Sequence, residues 1–187
     1  MLAKFSRTAS HSGFSLAEVV LAMGLMTGAI VALANLFAIS QRANQSSKKT
    51  TFAALLAEQK MEQLRGLTWG FDTIGLPLSD TATDTTVVPQ VATGGMGLRP
   101  SPALTLLQNT ANYVDYLDKY GVSLGGGSNP PTGTSYIRRW SVEPLPTNPN
   151  NTLILQVVVT PNRNANLRGI RKPDEARILS VKTRKMQ

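Results

Sequence analysis

Gly13, Phe14 and Glu18 are the residues whose types and spacing could do chemistry. They open the run GFSLAEVVLAMGLMTGAIVALANLFAI, in which Glu18 is the only charge among the 26 residues from Phe14 to Ile39. A carboxylate at the centre of a membrane-spanning helix costs on the order of 2.5–3.5 kcal/mol, and less near an end. Glu18 lies near the start and still needs a partner, yet no neighbour in the run is basic. A cut after Gly13 would leave an α-amine on Phe14, four residues before Glu18. The amine of a neighbouring copy would serve as well. The competing reading is an isolated carboxylate at the membrane interface.

Other chemistry is narrowed by what is missing. The chain has no cysteine, so disulfides, thiol nucleophiles and Cys-ligated metals are excluded. Its single histidine, His11, precedes Gly13. A chain cut there has neither His nor Cys, which removes Ser–His triads, Cys–His dyads and His-bound metals. No cofactor is expected and the chain does not read as an enzyme: no nucleophile–base pair is visible, and a Ser–Lys dyad is the one such chemistry its composition leaves open. The formal charge is +8, and it falls to +6 once Lys4 and Arg7 leave with residues 1–13. A basic protein favours acidic lipid, nucleic acid or acidic partner surfaces.

The element that must position Glu18 is a helix. A bilayer core of ~30 Å needs about 20 helical residues, so residues 14–39 are long enough to span it with some tilt. Gly24 and Gly28 form a GxxxG among Ala22, Thr27, Ala29 and Ala32. Such small residues allow close helix packing in lipid, and they are also simply frequent there. Beyond Ile39 the pattern turns polar without Pro or Gly. Ala53, Ala57, Met61 and Leu64 then recur at helical spacing with Glu58, Lys60 and Glu62 between them, which is an amphipathic helix against a soluble core. Gly66 is the expected stop. One helix from about Phe14 to Arg65 would be roughly 80 Å long at 1.5 Å per residue.

The basic residues Lys4 and Arg7, then Gly13, Phe14, and Glu18 as fifth residue after the cut, resemble the N-terminal signature of type IV prepilins and pseudopilins. The resemblance covers about the first third of the chain. It implies a leader, residues 1–13, removed on the cytoplasmic side by a prepilin peptidase after Gly13, and N-methylation of Phe14. It also implies that Glu18 pairs with the amine of an adjacent subunit, with Gly24 and Gly28 in the assembly helix. Implied partners are other pilin or pseudopilin subunits, the peptidase, inner-membrane assembly machinery and membrane lipid. The implied location is the bacterial inner membrane, single-pass, with the C-terminal domain periplasmic, and then a pilus or pseudopilus. Many major pilins carry a proline where Asn35 stands and a C-terminal disulfide; this chain has neither, which favours a minor pilin or pseudopilin. AALLAEQKMEQLRGL and YIRRWSV are similar to segments of minor pilins as well.

Residues 67–135 read as an irregular connecting region, rich in Gly, Pro, Thr and Ser, with Trp69 and Phe71 tucked under a sheet. Within it TANYVDYLDKYG reads as a helical turn or a short strand. Asp115 and Asp118 there invite a calcium site, as in some pseudopilins, but EF-hand spacing is absent and surface carboxylates are the favoured reading. Residues 136–187 read as an antiparallel β-meander. YIRRWSV puts Tyr136, Arg138, Trp140 and Val142 on one face, LILQVVVT is a central strand, and ARILSVKT sets Ile178 opposite Leu179 and Val181.

The division expected is therefore 1–13 leader, 14–39 transmembrane and assembly helix, 40–66 amphipathic continuation, 67–135 connecting region and 136–187 meander. The fold class is α+β, a long N-terminal helix packed on a small antiparallel sheet. The last fifty residues hold ten positive and three negative side chains. Arg163, Arg168, Arg171 and Lys172 are the candidates for contact with DNA, against a charged sheet edge that merely resists pairing. The expected role is a structural pilin-type subunit. The alternatives are a DNA-binding competence-type pilin and a signal-anchored periplasmic domain unrelated to pili.

Overall fold

The computed structural model describes residues 13–71, 74, 76–164 and 174–184. It divides into two compact units, Met1–Asn44 and Gln45–Gln187. One helix, α1 (Leu16–Gly66), supplies residues to both. It starts two residues later than the apolar run and ends at the expected glycine.

The described part of the first unit is three non-helical residues and the N-terminal part of α1. Its large apolar side chains, among them Leu21, Leu25, Ile30, Leu33 and Phe37, are all exposed. This stretch reaches a mean hydropathy of 2.1, and α1 is long and apolar enough to cross a membrane by length and composition. No internal packing accounts for so apolar a surface.

The second unit is a helix-on-sheet layer. Ala53, Leu56, Ala57, Met61 and Leu64 of α1 are buried, which matches the i, i+4, i+8, i+11 spacing. They pack on a four-stranded antiparallel sheet of β3 (Val114–Leu117), β4 (Tyr136–Pro144), β5 (Thr152–Pro161) and β6 (Ala176–Thr183), in that spatial order. Trp140 and Val142 face Val157 and Leu155 across the β4–β5 register, and all four belong to the core with the helix. Ile178 packs on the same core, while Leu179 and Val181 are exposed on the other face, as the alternation predicts. A small hairpin, β1 (Trp69–Phe71) and β2 (Pro77–Ser79), follows the helix. Trp69 is buried in the core.

Residues 67–135 carry three short strands, β1, β2 and β3, and β3 is a full member of the sheet. The meander of residues 136–187 thus lacks one of its four strands. The ambiguity of TANYVDYLDKYG resolves as strand because Val114, Tyr116 and Leu117 bury on both faces, against β4 and the residues after β3. Gly125 and Tyr116 bond backbone to backbone along the outer side of β3, so that edge is covered.

Candidate processing and assembly segment, and the buried charges

Gly13, Phe14 and Ser15 precede the helix, and Phe14 is 88% exposed. Ser15 and Glu18 close on each other. The Ser15 N–H donates to the Glu18 Oε2 at 2.9 Å, and the Glu18 N–H donates to the Ser15 Oγ at 3.2 Å. This is a capping box, in which two backbone donors that the first turn leaves unsatisfied are served reciprocally. Sequence reasoning assigned Ser15 and Glu18 to assembly but missed the cap that joins them. The signal was present as Ser-x-x-Glu at the head of an apolar run. Gly24 and Gly28 are exposed, and a Cβ on either would meet nothing within 4 Å. A side of α1 is therefore open for close approach at both positions.

The calcium candidates separate. Asp115 is not a surface carboxylate: it is fully buried in β3, opposite Arg138 in the β3–β4 register. Its Oδ2 pairs with the Arg138 Nη2, and its Oδ1 accepts from the Ser123 Oγ at 2.7 Å. Arg138 also donates to the Leu56 carbonyl at 3.0 Å and to Gln59 at 3.3 Å, which ties the sheet to α1. Asp118 is used otherwise. Its Oδ1 accepts the backbone N–H of Tyr120 and Val122 at 2.8 and 2.9 Å and fixes a turn. Among the described residues no group of three or more His, Cys, Asp or Glu side chains comes together.

Lys60 joins the buried charges, and the amphipathic reading had set it toward solvent. It is fully buried, donates to the Thr85 carbonyl, and lies over the Trp140 ring at 4.2 Å. Burial, and next the Arg138 charge, pull its ammonium well below the ordinary value of 10.5. The carboxylates Asp115 and Asp84 oppose that shift.

Among the described residues of the basic C-terminal half, several arginines are buried. Arg138 and Arg139 are buried, and Arg139 grips the Asn109 Oδ1 through Nε at 3.0 Å and Nη2 at 2.7 Å. Arg184 is buried beside Trp69, its guanidinium 4.6 Å from the ring centre. Arg163 is exposed and ion-paired to the Asp174 carboxylate, which also accepts from the Ser46 hydroxyl. The Ser46 bond first, and Arg163 with it, hold the Asp174 carboxyl below its usual range despite desolvation. The other three candidates for DNA contact, Arg168, Arg171 and Lys172, lie outside the described residues, as do positions 1–12 of the expected leader 1–13. Comparison of the chain with protein-family models, with curated proteins and with solved structures finds no match.

Proposed function

We propose that this chain is a membrane-anchored, prepilin-like structural subunit with a pilin-like α+β head. In this reading it is cut after Gly13, N-methylated at Phe14, and assembled through its N-terminal helix into a type IV pilus or a type II secretion pseudopilus. The observation that carries the reading is the first unit. It is a fully exposed apolar helix with a single carboxylate in its first turn, directly behind an exposed, non-helical Gly13–Phe14 peptide. An apolar helix of this length belongs in lipid or against other apolar helices. Glu18 fits such an assembly because its charge needs a cation there, and the amine created by the cut is one. Residues 14–39 anchor the chain, the leader stays cytoplasmic, and the head is periplasmic. The partners are other subunits of the filament, the peptidase, the inner-membrane assembly machinery and lipid.

The N-terminal mass of the protein extracted from membranes of its own host tests the reading. A chain beginning at N-methylated Phe14 is the expected result. A chain still beginning at Met1, in cells with an active prepilin peptidase, would return Glu18 to an interface carboxylate. Glu18→Ala should insert as well as the parent but enter filaments poorly; normal incorporation would remove the proposed pairing.

A further inference from the structure

The four-stranded sheet ends differently at its two edges. On β3 the Tyr116 N–H donates to the Gly125 carbonyl at 2.9 Å and the Leu124 N–H donates to the Tyr116 carbonyl at 2.7 Å, so returning chain covers that side. Among the described residues β6 pairs with β5 alone. The register shows which of its backbone groups are left over. The Thr152 carbonyl accepts from the Leu145 N–H at 2.9 Å on the β4 side, and Arg184, just past β6, donates to the Asn151 carbonyl at 2.9 Å. Antiparallel pairing alternates, so Ala176, Ile178, Ser180 and Lys182 turn their backbone groups to β5. Arg177, Leu179, Val181 and Thr183 turn theirs to the open side, where no other described backbone group meets them.

Proteins usually blunt such an edge with lysine, proline or a bulge. Strand β6 has no proline, and its register with β5 is unbroken from Ala176 to Thr183. Its lysine is turned away, since the Lys182 Nζ donates to the carbonyls of Arg65 and Leu67. Arg184 is buried with its guanidinium against Trp69. Much of the charge that the sequence sets along this edge is thus drawn inward. What stays outside is apolar: Leu179, Val181, and the half-buried Ile154 that faces Val181 across the register. Arg177 stands at one end of this row, about half exposed, and its ion partner Glu175 is 3.7 Å away and nearly buried.

We propose that the open edge of β6 is a strand-addition site for a partner protein. The segment that fits is extended, carries apolar side chains at alternate positions to cover Leu179 and Val181, and sets a carboxylate opposite Arg177. Backbone bonds to the open edge supply affinity, and the side chains on that face supply choice. A second copy of β6 fits less well, because Arg177, Leu179, Val181 and Thr183 include no carboxylate. The site does not depend on a cut after Gly13 and stands or falls apart from the prepilin reading.

The experiment titrates the full chain in detergent micelles with the fluorophore-labelled, end-blocked peptide TSVTVTE, which in antiparallel register sets valines opposite Val181 and Leu179 and glutamate opposite Arg177. Saturable binding by anisotropy is expected. At saturation the amides of Leu179 and Val181 should exchange about tenfold more slowly with solvent, while those of Ile178 and Ser180, already bonded to β5, should not change. N-methylation of the two probe valines, whose N–H groups face β6, should abolish binding; N-methylation of the threonine between them should not. The probe TSVTVTK should bind about fivefold more weakly, and Arg177→Glu should reverse that preference. No binding at millimolar probe would overturn the proposal, as would equal binding of the two methylated probes. Slowed exchange at Leu179 and Val181 on raising the concentration of the chain alone would give the edge to a second copy and overturn the assigned partner.

Discussion

The two units treat polarity in opposite ways. Between Leu16 and Ile39, α1 exposes its leucines, valines and phenylalanine and keeps its one carboxylate at the very start. Between Ala53 and Leu64 the same helix buries a lysine at its centre, over a tryptophan and near a buried arginine–aspartate pair. A residue's polarity alone therefore does not decide its burial; the surroundings do. In the first unit apolar surface is tolerable because, on the proposed reading, the medium is apolar. In the second, charge is tolerable because neighbours supply hydrogen bonds: Leu56, Gln59 and Asp115 for Arg138, Thr85 for Lys60.

The contrast can be broken most sharply at Asp115. Asp115→Ala leaves Arg138 buried without its counter-charge, and such half-removed pairs typically cost about 3–5 kcal/mol. Denaturant unfolding of the full chain in detergent, followed by tryptophan fluorescence, would measure it. Both tryptophans, Trp69 and Trp140, lie in the second unit. A loss below ~1 kcal/mol would mean that water reaches the guanidinium.

A charge placed in the other unit should act the other way. Ile30→Asp, near the middle of the apolar run, should reduce membrane integration by on the order of 2.5–3.5 kcal/mol. The tryptophan-monitored unfolding should not change. Membrane fractionation separates the two effects, and full integration of the variant would argue against a spanning role for this stretch.

The gentlest test is Lys60→Met, which keeps length and removes the amine. Because folding lowers the Lys60 pKa, the unfolded chain binds more protons between the folded value and 10.5. Stability of the parent should therefore rise with pH across that window. The variant should lose that rise and match or exceed the parent at neutral pH. Unfolding free energies of the two chains with the same pH slope would show that Lys60 is not desolvated in solution.

These buried charges mark where sequence reasoning stops. Periodicity made the helix, its apolar positions 53, 57, 61 and 64, and the three C-terminal strands legible, because each follows a simple period over many residues. Strand β3 stayed ambiguous between turn and strand because Asp115 interrupts its apolar pattern, and only the cross-strand partner Arg138 gives that aspartate a reason to be inside. Lys60 escaped for the same cause: a lone lysine between glutamates reads as a solvated face until Trp140 and Thr85 are seen beside it. At the N-terminus the charge of Glu18 was legible and its bond with Ser15 was not, since a cap depends on where the first turn of the helix begins.

Lys182, in β6, donates through its Nζ to the carbonyls of Arg65 and Leu67. Those carbonyls lie at the C-terminal end of α1, where the helix leaves acceptors unfilled and favours a cation. Lys182 follows Arg65 by 117 residues along the chain. During synthesis the far end of α1 thus waits for its cation until the chain has been made as far as β6, whereas the apolar run precedes all of the strands. The second unit therefore closes late, and on the proposed reading the apolar run can meet its own medium before that closure.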